Sequence, residues 1–165
     1  MIRLATKDDM PVLLEIYEKA RQFMASTGNA FQWADGYPSK QDLEAEMAIH
    51  RLYVLCIDDE IEASFVFYNG IDPCYNKIYD GVWLNDEPYG VLHKVATRQR
   101  KKHMGDQIIS FAFSQNSNIR IDTHEMNLPM QRLLKKHGFQ KTGTIYLENG
   151  QSRWAYHGVK DCNFK

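Results

Sequence analysis

The stretch from Arg98 to Asp106 (RQRKKHMGD) sets four cations, Arg98, Arg100, Lys101 and Lys102, directly ahead of a helix that reads from Gly105 to Ser114. The first turn of any helix leaves backbone N–H groups without partners, and the aligned peptide dipoles place roughly half a positive charge there. Fixed cations at such an end make an anion site, and phosphate is the anion that suits it best. A solvated basic loop is the competing account. The chain contains neither Gly-x-x-x-x-Gly-Lys-Ser/Thr nor Gly-x-Gly-x-x-Gly, so a P-loop and a dinucleotide-binding turn are both excluded.

The elements that must position this loop follow from patterning. Ile2–Ala5 reads as a short strand, and Thr6-Lys7-Asp8-Asp9 has capping-box form with Pro11 in the first turn. Met10, Leu13, Leu14, Tyr17, Ala20, Phe23 and Met24 keep helical spacing to about Ser26. Ser39–Asp42 is a second capping box, opening a helix with Leu43 and Met47 inward. Leu52–Ile57 and Ile61–Tyr68 flank Asp58-Asp59-Glu60 as a hairpin, and a short strand is expected near Ile78. A strand over Tyr89–Ala96 leads into the basic loop and its helix. Ile119–Asp122 (strand) and Asn127–Lys136 (helix, stopped by Gly138) follow, then a hairpin of Phe139–Leu147 and Arg153–Val159 around Asn149-Gly150. The alternation predicts an α/β fold with a mixed sheet.

The chain has 165 residues, 44% hydrophobic and 25% charged, which fits one ordinary globular domain. Its net charge of -1 argues against a nucleic-acid binder held by bulk positive charge. That average hides -6 over residues 1–62 and +5 over the remainder. Cys56, Cys74 and Cys162 are scattered and unpaired in motif, so no metal site is expected. The longest wholly apolar run, Leu52–Ile57, is too short for a bilayer, and the start lacks a secretory segment; the expectation is a cytoplasmic protein with no membrane association.

A strand, an Arg/Gln-x-x-Gly-x-Gly/Ala loop and a helix form the pyrophosphate motif of the GNAT superfamily of acyl-CoA-dependent N-acetyltransferases. Arg100-Lys101-Lys102-His103-Met104-Gly105 resembles it. A second family signature, an Asn followed by a helix ending in Lys-x-Gly-Phe, is similar to Asn127 to Phe139 (NLPMQRLLKKHGF). The order of elements agrees along nearly the whole chain, and Phe23–Ser39 looks like the corresponding part of a bacterial branch of unassigned acceptor. The resemblance implies a single-domain GNAT-like fold over 1–160 with a tail at 161–165. Its mostly antiparallel sheet would be splayed in the middle and flanked by about four helices. It also implies acetyl-CoA as acyl donor, a small-molecule or peptide amine as acceptor, no metal, and the dimers common among look-alikes. Pyrophosphate would meet backbone amides of Lys101, Lys102, His103, Met104 and Gly105, with Arg100 and Asp106 in the same motif. Pantetheine would pair with the strand edge at Val95 and Thr97, the Val95 N–H would face the thioester oxygen, and Asn127 would reach the donor.

Three positions depart from the pattern. His103 replaces the first motif glycine, where a helical backbone would tolerate a side chain. Asp106 stands where relatives are small or hydroxylated, and is suited to a helix start. Leu134 occupies the place of the tyrosine that protonates departing thiolate in many relatives.

An alkylammonium of pKa about 10.4 must lose its proton before it attacks, at a cost of about 4.6 kcal/mol at neutral pH. His93, on one face with Val91 and Val95 by strand alternation, and Glu87, at the strand's start, are the candidate bases. Ordinary packing is the alternative for His93. Trp33, Asp35 and Tyr37, in the connection between the first two helices, would face the acceptor through charge and cation–π attraction, or simply pack. Trp83 and His124 are further acceptor-side candidates; His50, His137 and His157 carry only surface or capping expectations. Two other functions stay open: a CoA-binding sensor with little turnover, and a nucleic-acid-binding domain using Arg98–Lys102 and Arg132–Lys136.

Overall fold

A computed structural model of the chain describes residues 1–161; Cys162 and the remainder of the expected tail, 162–165, lie outside the described residues. Both capping boxes form. The Asp9 carboxylate accepts from the Thr6 N–H at 2.7 Å and also binds Arg3, at 2.7 and 3.0 Å. A single 3-10 turn then leads into α1 (Met10–Ser26), with Pro11 in its first turn. Asp42 and Ser39 exchange hydrogen bonds at 2.8 and 3.2 Å and start α2 (Lys40–Ala48). The other helices are α3 (Met104–Gln115) and α4 (Leu128–Lys136); Gly138 ends α4 at φ +80°, a conformation without penalty only for glycine.

The strands are β1 (Ile2–Leu4), β2 (Leu52–Ile57), β3 (Glu60–Asn69), β4 (Gly90–Thr97), β5 (Asn118–Thr123), β6 (Gln140–Tyr146) and β7 (Ser152–Val159). They make one seven-stranded mixed sheet in the order β1-β2-β3-β4-β5-β7-β6. β4 and β5 run parallel, with Val91 opposite Arg120, and the β1–β2, β2–β3, β5–β7 and β6–β7 pairs are antiparallel. The predicted α/β class and element order are both present. The strand expected near Ile78 is instead one bridge, Tyr79 to Thr144. The chain there comes so close that a Cβ on Gly81 would lie 1.8 Å from the Thr142 carbonyl oxygen, an approach that only glycine permits.

The chain forms two compact units. One comprises Met1–Phe67 and His93–Ile108, the other Tyr68–Leu92 and Ile109 onward. The first buries Leu13, Ile16, Leu43, Val54, Leu55 and Phe65 completely. The second is built on Tyr75, Tyr89, Val91, Ile145 and Ala155. Fully burying a side chain of this size contributes roughly 1.5–3 kcal/mol, so each unit rests on its apolar interior. Leu134, the departure on α4, is among the residues with no exposure at all.

Candidate active site

In the first unit, β4 carries an irregularity at Lys94, which adopts φ +51° within the strand. Residue-by-residue alternation does not carry through a left-handed residue. The argument that put His93 and Val95 on one face therefore lapses, although both are half-buried on β4. The Lys94 carbonyl accepts from the Tyr17 hydroxyl of α1 at 2.7 Å. Its ammonium lies 3.4 Å from Glu46 Oε1 of α2 and 5.5 Å from the Tyr37 ring centroid. Burial works against that charge, but Tyr37 and Glu46 outweigh it and raise the Lys94 pKa. Lys94 is therefore a fixed cation and not a base at neutral pH. The other oxygen of Glu46, Oε2, is buried without a hydrogen-bond partner.

The aromatic connection divides. Trp33 is 9% exposed, with its ring centroid 5.7 Å from that of Tyr17, so it packs. Tyr37 is 40% exposed and keeps its ring beside Lys94. Asp35 is exposed at φ +56°. The acid that shares the Lys94 ammonium with an aromatic ring is Glu46. Nothing in the periodicity of α2 singled it out, because its carboxylate becomes special only once β4 lies opposite.

The basic loop is only partly a free cation cluster. Arg100 is committed to β3: its guanidinium meets Glu62 at 2.6 and 3.2 Å and Glu60 at 3.0 Å, and Glu62 is buried. Arg98 donates its backbone N–H to the Glu62 carbonyl at 2.9 Å and keeps a buried, unpartnered Nε. Thr97 is half-buried and its hydroxyl accepts from Gln99 at 2.9 Å. Lys101 and Lys102 are exposed, without a carboxylate partner among the described residues. Met104 is buried and Gly105 half-buried at the start of α3, where the open amides lie. His103 corrects the expectation of a helical backbone: it stands at φ +67°, the conformation that glycine adopts freely and a histidine does not. Its Nδ1 lies 2.9 Å from Asp106 Oδ2, so the two departures from the motif occur as a pair.

The second unit holds the remaining candidates. Trp83 donates from Nε1 to the Tyr75 carbonyl at 2.9 Å and stands edge-on to His157. Glu87 is exposed, its backbone N–H anchored to Asn85 Oδ1 at 3.1 Å. His124 accepts from the Met126 N–H at 3.0 Å, and burial and then Arg153 lower its pKa. Asn127 is buried and caps α4, accepting from the Met130 N–H at 3.2 Å. His157 overturns its surface assignment. It is fully buried, accepts from the Leu84 N–H at 3.1 Å and lies 2.6 Å from Asn118 Oδ1. Nδ1 accepts, so the proton is on Nε2 and goes to Asn118. Desolvation, then Arg120, lowers the His157 pKa to about 4.

Among the described residues, no three His, Cys, Asp or Glu side chains converge as a metal site requires, and no helix is long and apolar enough to cross a membrane. The chain matches no protein-family model, and no curated protein is similar to it at a significant level. Solved structures are similar. A GNAT-family acetyltransferase of Streptococcus agalactiae 2603 aligns over 98% of this chain and 95% of its own, with TM-score 0.88 and 29% identity. This chain has the GNAT fold. A candidate acetyltransferase of Staphylococcus aureus MU50 aligns over 96% of this chain and 98% of its own, at 25% identity and TM-score 0.68. AAC(6')-Ib, solved with ribostamycin and coenzyme A, shares the fold at 18% identity and TM-score 0.64, over 97% of this chain and 93% of its own. The activity these GNAT relatives point to is acetyl transfer.

Proposed function

We propose that this protein transfers the acetyl group of acetyl-CoA to an amine acceptor by direct attack within a ternary complex. The observation that carries the reading is the start of α3, a helix N-terminus that follows two exposed lysines, Lys101 and Lys102, paired with no carboxylate among the described residues. A pyrophosphate is the anion that such an arrangement suits. Met104 and Gly105 would present backbone N–H groups to it, and Thr97 and Val95 on β4 would hold the pantetheine.

Acetyl-CoA supplies a thioester carbonyl with a thiolate leaving group, whose conjugate thiol has a pKa near 8.5. The Val95 N–H is assigned to the developing negative charge on the thioester oxygen, a contribution that reaches about 3–4 kcal/mol where comparable donors have been removed. His93 is assigned to take the ammonium proton, directly or through water. Glu46 and Tyr37 favour a cationic acceptor, since Glu46 Oε2 has no partner and the Tyr37 ring is already in contact with a cation. With His93 as base, none of these steps calls on a cysteine nucleophile; Cys56 is buried and Cys74 half-buried.

Calorimetry with coenzyme A and thiol release from acetyl-CoA across an amine panel test the reading. Micromolar binding with turnover on at least one amine is expected; no binding removes the proposal. A second reading, a CoA sensor, is favoured by the left-handed His103 and its pairing with Asp106. Tight binding with no turnover on any amine would select it.

A further inference from the structure

The second unit contains a cavity of about 630 Å³ that acetyl transfer, as read above, does not use; Tyr75, Trp83, Asp86, Glu87, Tyr89 and Arg120 are among its walls. Arg120 extends from β5 and is 6% exposed. Its guanidinium packs against two aromatic rings, 4.3 Å from the Trp83 centroid and 4.2 Å from that of Tyr89. Nη2 donates to the Asn85 carbonyl at 2.9 Å, and Nε is buried without a partner. No carboxylate among the described residues forms an ion pair with it. Burial lowers its pKa against the opposing pull of Tyr89 and Asp86. A buried cation with no carboxylate in direct contact is unfavourable relative to one that a ligand completes.

The geometry restricts what completes it. Two aromatic rings lie against the guanidinium, and its in-plane donors, the unpartnered Nε among them, fit a carboxylate. The rim bears the opposite sign, because Asp86 and Glu87 are exposed acids on the same cavity. A plain anion would meet the rim carboxylates, and a plain cation would meet the buried arginine. A molecule carrying both charges avoids both conflicts.

The rim is also held in place. Asn85 and Asn118 exchange side-chain amide bonds at 3.0 and 3.1 Å, and Asn118 Nδ2 reaches the Glu87 and Pro88 carbonyls at 3.3 and 3.0 Å. Neutral His157 locks Asn118 from behind at 2.6 Å. The Asn85 carbonyl that holds Arg120 and the two acids that follow it thus belong to one hydrogen-bonded network, which reduces the ordering cost of binding.

We propose that this cavity binds a small zwitterion of the free α-amino acid class, its carboxylate on the edge of Arg120 and its ammonium at Asp86 and Glu87. The inference does not depend on acetyl transfer and is read by binding alone, with no acyl donor present. The whole chain is screened against the twenty common L-amino acids, each at about 10 mM, by thermal shift, in a buffer free of phosphate and carboxylate. The best binder is then compared by calorimetry with its decarboxylated amine, its deaminated acid and inorganic phosphate. At least one amino acid is expected to bind in the millimolar range or tighter, and each one-charge analogue and phosphate about tenfold more weakly or not at all. Arg120→Gln is expected to abolish binding and Asp86→Asn to weaken it about threefold or more. The proposal is overturned if no amino acid binds, if phosphate or either analogue binds as well, or if Asp86→Asn leaves affinity unchanged. Should Arg120→Gln fail to fold, the analogue comparison on the native chain and the exposed Asp86 variant still decide.

Discussion

The Tyr17 hydroxyl donates to the Lys94 carbonyl at 2.7 Å, and Lys94 is the residue at which β4 turns left-handed, φ +51°. A side chain of α1 therefore satisfies the backbone group displaced by the irregularity next to Val95. Tyr17 is buried, and desolvation raises its pKa despite the nearby Ser64 hydroxyl, so it remains a neutral donor. Ser64 Oγ, 3.2 Å away, sends its own proton to the Tyr53 carbonyl at 3.0 Å.

Tyr17→Phe removes that donor and leaves a carbonyl unsatisfied in a largely buried setting. The expected loss is about 1–3 kcal/mol by urea unfolding, together with lower kcat and little change in coenzyme A affinity. Unaltered stability would contradict the role assigned to the hydroxyl.

His103→Gly relieves a left-handed histidine and frees Asp106 from its partner. A gain of about 1 kcal/mol in stability is expected, with coenzyme A binding no weaker than in the parent protein. A drop in thermal midpoint would show that the side chain supports the loop more than its conformation costs.

The three consecutive cations should behave differently. Replacing Lys101 and Lys102 by Gln is expected to leave the thermal midpoint in place, weaken coenzyme A and flatten the salt dependence of binding. Arg100→Gln is expected to lower the midpoint, because buried Glu62 loses its counter-ion. Equal effects from both substitutions would argue against separate roles.

His157 predicts an acid limb of stability. Its folded pKa of about 4 lies below the ordinary 6.5, so the unfolded chain binds the extra proton first. The contribution is complete above about pH 6.5 and is lost as pH falls towards 4, on the order of 3 kcal/mol in all. Asp9, held below the usual carboxylate range by Arg3, loses its contribution only at still lower pH. Urea midpoints measured from pH 7 to 4 check the sign: a flat profile would mean that His157 is already charged.

Much of the frame was legible because it is local. Thr6–Asp9 and Ser39–Asp42 are self-contained caps, Gly138 is a conformational stop, and the spacing from Met10 to Met24 needs no partner to be recognised. The basic loop ahead of α3 was legible for the same reason. Composition could not separate its cations, because Arg100 is drawn away by Glu62, a residue 38 positions earlier.

What the chain determines by itself is the succession of helices and strands, their caps and turns, and the basic approach to α3, since each depends on residues a few positions apart. Only the tertiary structure decided that Lys94 turns left-handed in β4 with its carbonyl on Tyr17, that Glu46 shares the Lys94 ammonium with Tyr37, and that His157 and Arg120 are buried around Asn118 and Asn85. Those outcomes depend on desolvation and on partners tens of residues away, and a side chain's charge, tautomer and exposure are set only when such partners meet.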